Sequence, residues 1–321
     1  MNASSPTSTE AELRSRYDLL VERSPQGSIF AASWWLDAVA PGRWRMHGAE
    51  KGDELIAAWP TVVERSRFGT LHLGAPLAPF LGPLLPPGEG HRRRAREIEA
   101  LGLLLDAIGR YAHLEARCNP GFDYWTPLRW RGFTQTTLYT WRIEGLGDLD
   151  AVFAGFGEKA RGHIRAAEKR GLVVADAPLD EFLQLHEGRG RQAQMHEALR
   201  RVDAAAEGRG VRDVLIARDS NGVARSGCYL VHDRRYTYYL LSATDGQVRG
   251  SGAAVVWEAV KRAAARGNSF DFEGSVLPHV EPFVRSFGGN PTPYSVVRHT
   301  PSRGQRAERA LKRTVRSLTR R

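Results

Sequence analysis

Apolar and polar positions alternate with two periods along the 321 residues, one helical and one of two, and the switches between them predict the elements. Thr9-Glu10-Ala11-Glu12 fits a capping box and opens a helix to about residue 23. Residues 28–40 (SIFAASWWLDAVA) read as a second, apolar helix, and residues 54–64 and 68–73 as strands. Residues 74–90 mix prolines with Phe80 and several leucines. They predict an ordered apolar loop, since those leucines need burial. A helix over 93–109 and strands over 113–118 and 134–143 follow, and Gly145-Leu146-Gly147 marks a domain junction. Beyond it the pattern predicts helices at 148–153 and 158–170, a strand at 172–175 and helical segments across 180–207. Three strands come next, at 213–218, 224–232 and 235–242, with Asn221-Gly222 and Asp233-Arg234 as hairpin turns. A helix over 253–266, a strand over 269–273, a short helix over 280–287 and a strand over 294–299 complete the chain. The order of strands, helix, strand occurs in both halves without a visible sequence repeat. It predicts an α+β protein with mixed sheets.

Composition places this pattern in a globular protein: 42% of residues are apolar and 26% charged, enough apolar surface to offset chain entropy. No run approaches the roughly 20 apolar residues a bilayer span needs. The first twelve residues have no apolar core of a secretory signal, so a cytoplasmic protein is expected. Cys118 and Cys228 are too few for a disulfide framework or a cysteine zinc site. The charge is uneven. Residues 303–321 hold eight Lys+Arg against the single acid Glu308, a net +7 that leaves +3 of the chain's +10 elsewhere. Ala307, Leu311, Val315 and Leu318 share one helical face there. This basic amphipathic helix suits RNA (a tRNA among them), an anionic membrane surface or an acidic partner, or is a solvated end.

The strongest chemical feature is Gln247-Val248-Arg249-Gly250-Ser251-Gly252, between a predicted strand and a predicted helix. Glycines there let backbone N–H groups approach a phosphate, and the helix N-terminus adds its positive end; the bland alternative is a strand-to-helix turn. Asp271-Phe272-Glu273-Gly274-Ser275 ends the next strand. Alternation puts Asp271 and Glu273 on one face, where a carboxylate could deprotonate an amine, or cap a turn or pair with an arginine. Arg285, between Phe283 and Phe287, is a candidate for an anionic ligand or for a structural ion pair. Lys159, Arg161, His163, Arg165, Lys169 and Arg170 make one helix basic, either as a solvated surface or for anion recognition. Tyr236 and Tyr238 share a strand face that could line a cleft or belong to the core. The chain lacks Cys-x-x-Cys, His-Glu-x-x-His, a Walker A loop and Gly-x-Ser-x-Gly, so no metal site, nucleotide-hydrolysing loop or hydrolase elbow is expected.

The runs KARGHIRAAEKRGLVV, CYLVHDRRYTYYLLSATD and FDFEGSVLPHVEPFVRSFGGNPTPY together resemble the FemAB-like and BioF2-like branch of the GNAT acyltransferase superfamily. SIFAASWWLDAV and APFLGPLLP resemble the first half of the same bacterial proteins, so the resemblance covers about residues 29–299. It implies two tandem GNAT-like domains, each a mixed β-sheet flanked by helices. With the junction at Gly145–Gly147 these are residues 1–145 and 146–300, the second the expected catalytic domain, and the basic helical tail read from charge and periodicity is 301–321. The resemblance also implies acyl transfer to an amine without a metal. Gln-x-x-Gly-x-Gly is the pattern GNAT enzymes use on the pyrophosphate of acyl-CoA, and it falls on Gln247, Gly250 and Gly252, with Arg249 and Ser251 between. One departure is visible: peptidoglycan-branching ligases carry Phe-Lys-x-x-aromatic where this chain has Phe283-Val284, with Arg285 the nearest cation.

The expected activity is therefore an N-acyltransferase in which a substrate amine attacks the donor carbonyl directly. Glu273 and Arg285 are the expected catalytic groups, and residues 247 and 249–252 the donor site. Lys159, Arg161, Arg165, Tyr238 and Asp271 are expected to bind substrate. The donor is acyl-CoA, or aminoacyl-tRNA as in Fem-type transferases. The acceptor is a small-molecule or cell-envelope precursor amine. A non-catalytic GNAT-fold binding module is the further alternative.

Overall fold

The computed structural model describes residues 10–318 apart from 53, 89, 187–192, 274–277 and 279. Thr9, Gly274, Ser275 and the side chains of Val315 and Leu318 thus lie outside the described residues. The chain divides into two compact units, residues 1–137 with 294–321, and residues 138–293.

In the N-terminal unit, α1 (Glu10–Arg23), a 3₁₀ turn (Ile29–Ala31) and α2 (Ser33–Val39) precede β1 (Trp44–Lys51), β2 (Glu54–Ser66) and β3 (Gly69–Leu73). Then come α3 (His91–Ile108), β4 (His113–Arg117), α4 (Thr126–Trp130) and the start of β5 (Thr134–Ile143). β1, β2 and β3 form an antiparallel meander, and β3 pairs with β4 in parallel. Strand β1 is absent from the sequence pattern because it is an edge strand. It pairs with β2 alone and buries only Ala49, so it shows no apolar alternation. The core joins Trp59 and Leu114 of the sheet to Leu101 and Leu104 of α3.

The C-terminal unit begins within β5 and continues through α5 (Leu149–Gly155), α6 (Glu158–Lys169), β6 (Val173–Asp176), α7 (Leu179–His186) and α8 (Ala193–Glu207). It then adds β7 (Arg212–Arg218), β8 (Ala224–His232), β9 (Tyr236–Thr244), α9 (Ser251–Ala265), β10 (Ser269–Asp271) and α10 (Glu281–Arg285). Asp148 caps α5 by accepting the N–H groups of Asp150 and Ala151. Strands β6 to β9 pair antiparallel in sequence, and β9 pairs with β10 in parallel. The apolar stripe of α9, with Val255, Val256, Ala259 and Val260 fully buried, packs over this sheet.

Each unit thus holds an antiparallel meander, a helix and a parallel strand, in a mixed α+β arrangement. The outer neighbour of each parallel strand comes from a distant part of the chain. β10 pairs antiparallel with β5, and β4 pairs antiparallel with β11 (Asn290–His299), which follows β10 in sequence. The basic tail folds as α11 (Arg303–Leu318). Its first turns belong to the N-terminal unit: Gln305 is buried, Gly304 meets the Phe68 ring, and Arg309 donates to Glu115. Leu311 is exposed.

Candidate functional site

Strand β9 delivers the chain into the loop 245–250, and the local chemistry of that loop is well defined. Asp245 is pinned by Arg225 at 2.8 Å and accepts the Gln247 N–H at 2.9 Å. Gly250 is the N-cap residue of α9, with φ +98°, and no side chain caps the helix. The Ser251 N–H is taken by the Val248 carbonyl, and the Ser251 hydroxyl bonds Val248 O and Ser226. The N–H groups of Gly252 and Ala253 therefore point out of the first turn without a capping partner, at the positive end of a 15-residue helix.

Cations gather at this end. Arg249 donates from Nε to His163 Nε2 at 3.0 Å, and Arg170 donates to the Arg249 carbonyl at 2.8 Å, so one face of α6 braces the loop. Burial, then the charges of Arg249 and Lys159, lower the pKa of His163, leaving a neutral ring that accepts from arginine. Lys159, Arg170 and Arg249 are all exposed. Gly250 has a second role. A Cβ there would lie 2.5 Å from the His163 carbonyl oxygen, so the glycine is required by the α6–α9 approach as well as by its positive φ. Gly250→Ala is expected to destabilise the protein by about 1–3 kcal/mol in urea unfolding, through strain and overpacking. A change within ~0.3 kcal/mol would show that α6 yields freely. Gly252 is different, since only the tip of Phe283 lies within 4 Å of a Cβ built there, at 3.8 Å.

Glu273 stands just beyond β10, with φ +58°, an uncommon conformation for a residue with a Cβ. Its backbone N–H donates to Asp271 Oδ1 at 2.8 Å. Its Oε1 is shut off from solvent with no hydrogen-bond partner among the described residues. Burial, and after it the Asp271 carboxylate, push its pKa well above the ordinary value. Asp271 in turn is fully buried. Thr140 donates to its Oδ1, and Arg142 Nε donates to Oδ2 at 2.8 Å. Arg142 also donates to the Tyr236 hydroxyl at 2.9 Å and keeps Nη2 unpartnered. Burial raises Asp271 while Arg142 and Thr140 pull the other way. This network holds the turn that aims Glu273.

Glu273 also marks an opening in the sheet. The parallel pair β9–β10 ends at Tyr238 opposite Asp271, while β9 continues to Thr244. Beyond Asp271 no strand among the described residues pairs with β9 on that side. The ring of Phe272 contacts Phe287 at 5.8 Å between centroids, and Phe287 contacts Phe283 at 5.1 Å, which reaches Gly252. A run of aromatic rings thus links Phe272, next to Glu273, with the start of α9. The N-terminal unit closes the corresponding gap with its own chain. Leu81 of the proline-rich segment pairs with Arg117 at the end of β4, and Leu84 pairs with Ala58 of β2 beyond the end of β3.

Not every expected side chain converges here. Tyr238 is fully buried with its hydroxyl on Asp233, and Asp271 is fully buried too, so neither presents an atom to a ligand. Arg161 is occupied by the carbonyls of Ala154 and Phe156 at the end of α5. Arg165 lies over the Phe153 ring at 5.6 Å. Arg285 is exposed and bonded to Glu281 one turn earlier at 2.9 Å, and no hydrogen bond or ion pair joins it to Glu273 or to the loop. Gln247 is exposed beside the loop. The residues that sequence reading passed over are Thr140 and Arg142, while His163 and Arg170 of the expected basic helix are the two that meet the loop. A buried arginine ending a strand has no local signature, because its partner is 129 residues away. Among the described residues no group of three His, Cys, Asp or Glu side chains could hold a metal ion. No helix among the described residues is long and apolar enough to cross a membrane.

The chain matches no known sequence family and no curated protein. Its fold is shared with solved structures. FemX matches with a TM-score of 0.66 at 13% identity, over 88% of this chain and 95% of FemX. The C-terminal domain of a putative lysylphosphatidylglycerol synthetase from Agrobacterium fabrum matches with a TM-score of 0.57 at 14% identity, over 93% of this chain and 95% of that domain. A tandem GNAT protein from the clavulanic acid biosynthesis pathway, solved without AcCoA, matches with a TM-score of 0.50 at 14% identity, over 89% and 92%. The likeness to the FemAB-like branch of the GNAT superfamily holds at the level of the fold.

Proposed function

We propose, from this FemAB-like fold as premise, that the protein is an N-acyltransferase built of two tandem GNAT-like domains, with one active centre, in the C-terminal unit. The observation that carries the reading is the pairing, in one unit, of an uncapped α9 N-terminus braced by Arg170 and Arg249 with a pKa-raised Glu273 whose Oε1 has no partner among the described residues. An acyl-CoA would supply an activated thioester carbonyl. Its pyrophosphate would meet the N–H groups of Gly252 and Ala253, with Arg249 and Arg170 neutralising charge. The open edge of β9 offers backbone groups to an extended pantetheine-like arm. Glu273, as carboxylate, takes a proton from the acceptor amine as its nitrogen attacks. The C–N bond forms, the C–S bond breaks and the thiolate leaves. Asp271, Arg142 and Thr140 hold Glu273 in place and touch no substrate. Arg285 has no step in this scheme.

A second reading keeps the fold and takes aminoacyl-tRNA as donor. The +7 of residues 303–321 favours it, because a phosphate backbone rewards clustered cations. Binding of acetyl-CoA and of bulk aminoacyl-tRNA to the full chain, across a salt series, separates the two. Gly252→Leu leaves the helix backbone unstrained and places a side chain over the uncapped turn. Saturable acetyl-CoA binding that falls at least tenfold in Gly252→Leu, with unchanged thermal unfolding, is the expected result. Steeply salt-dependent tRNA binding without acetyl-CoA binding would replace the first reading with the second. Binding of neither would end both.

A further inference from the structure

The N-terminal unit contains a cleft of about 690 Å³, within the size range of small-ligand sites. It is formed where β3 and β4 begin, where α3 ends and where β11 runs into α11. It lies wholly within that unit and shares no residue with the centre on α9. Its wall is rich in donors. Arg110 is exposed and has no partner among the described residues. Arg131 has only a long, exposed contact to Asp106, at 3.8 Å. Such a contact contributes little and is readily exchanged for a ligand anion. Ser302 lines the cleft and bonds the Gln305 N–H, so the cleft meets the start of the 16-residue α11. Arg306 reaches back to the Thr300 carbonyl beside it.

At the floor, the Tyr111 hydroxyl and His299 Nδ1 are 2.8 Å apart. The two rings meet edge to face, with centroids 5.6 Å apart, and burial lowers the His299 pKa. Phe133 packs on the imidazole, with centroids 5.0 Å apart, and holds its orientation. The cleft therefore combines two arginines, the hydrogen-bonded Tyr111–His299 pair and aromatic surface from Tyr111 and Phe68, with Asp106 the only acid among the described residues of its wall. Arginine forks suit a phosphate, and the rings and the remaining volume suit a planar group attached to it.

We infer that this cleft is a second ligand site, taking a small phosphorylated molecule that carries a planar ring. Because it stands apart from the α9 centre, it does not depend on the acyl-transfer reading.

The test uses the full chain and calorimetric titration with AMP, adenosine and pyrophosphate. AMP is expected to bind saturably, pyrophosphate to compete with it, and adenosine to bind at least tenfold more weakly. The double variant Arg110→Ala/Arg131→Ala changes only exposed side chains and is expected to lose at least tenfold in AMP affinity with unchanged thermal unfolding. His299→Phe, which keeps a ring but removes both ring nitrogens, is expected to weaken AMP binding severalfold. Absence of saturable AMP binding would overturn the inference, as would adenosine binding as tightly as AMP. So would AMP binding that survives the double arginine variant but is lost in Arg249→Ala, since that would place the nucleotide on α9.

Discussion

Glu273→Gln is expected to reduce kcat/KM for acyl transfer by about 10²–10⁴-fold while leaving the fold intact. The side chain keeps its size, but the amide cannot accept the amine proton. The pH profile gives an independent check. Burial and the Asp271 charge raise the Glu273 pKa, so the active carboxylate form accumulates only as pH passes above that raised value. The wild-type rate should climb with pH to a plateau, and the climbing limb should vanish in the residual activity of the variant. Stability runs the other way. A raised pKa in the folded state favours folding at pH below the ordinary carboxylate value, and that contribution is lost as pH rises through the folded pKa. Wild type should therefore lose stability toward alkaline pH relative to Glu273→Gln, with the variant the more stable of the two at neutral pH. An active Glu273→Gln enzyme with an unchanged profile would remove Glu273 from the chemistry.

The second large effect is structural. Arg142→Met is expected to cost about 3–5 kcal/mol in urea unfolding, because it strands the Asp271 carboxylate in a dry interior. Both partners are buried, with side chains 8% and 0% exposed, so solvent screens little of the loss. Adding Asp271→Asn to Arg142→Met should recover part of the stability, since a neutral amide needs no counter-charge. A single-variant loss below ~1 kcal/mol would mean that Asp271 is satisfied without its arginine. The Arg142 variant should also impair catalysis in the surviving folded fraction, because Asp271 anchors the Glu273 backbone.

The sequence carried the elements whose signals are local. The meander over β7 to β9, the amphipathic α9 between strands, and the loop at 247–252 are legible from periodicity and from glycine placement, and the structure forms all of them. Glu273 could be singled out because a carboxylate at a strand end beside a helix start is a pattern of near neighbours. Strand β1 escaped because a half-exposed edge has no apolar rhythm. α4 (Thr126–Trp130) escaped because a five-residue helix is too short to show a period.

What the tertiary structure decided are the contacts between residues far apart in the chain. It turned Arg285 toward Glu281, spent Arg161 on the end of α5, and buried Tyr238 and Asp271 beyond the reach of a ligand. It matched Arg142 with Asp271, which holds the Glu273 backbone, and it buried Glu273 beside that carboxylate, which raises the Glu273 pKa. It filled the gap after β3 and β4 with residues 81–84 while leaving the gap after β9 and β10 without a strand among the described residues. It also paired β11 with β4 rather than with its sequence neighbour β10. Periodicity reports which face of an element is buried, because that depends on residues a turn apart. Which partner covers the face, and which charge meets which, depends on packing between elements that are distant in sequence, and a single chain read in order holds no record of it.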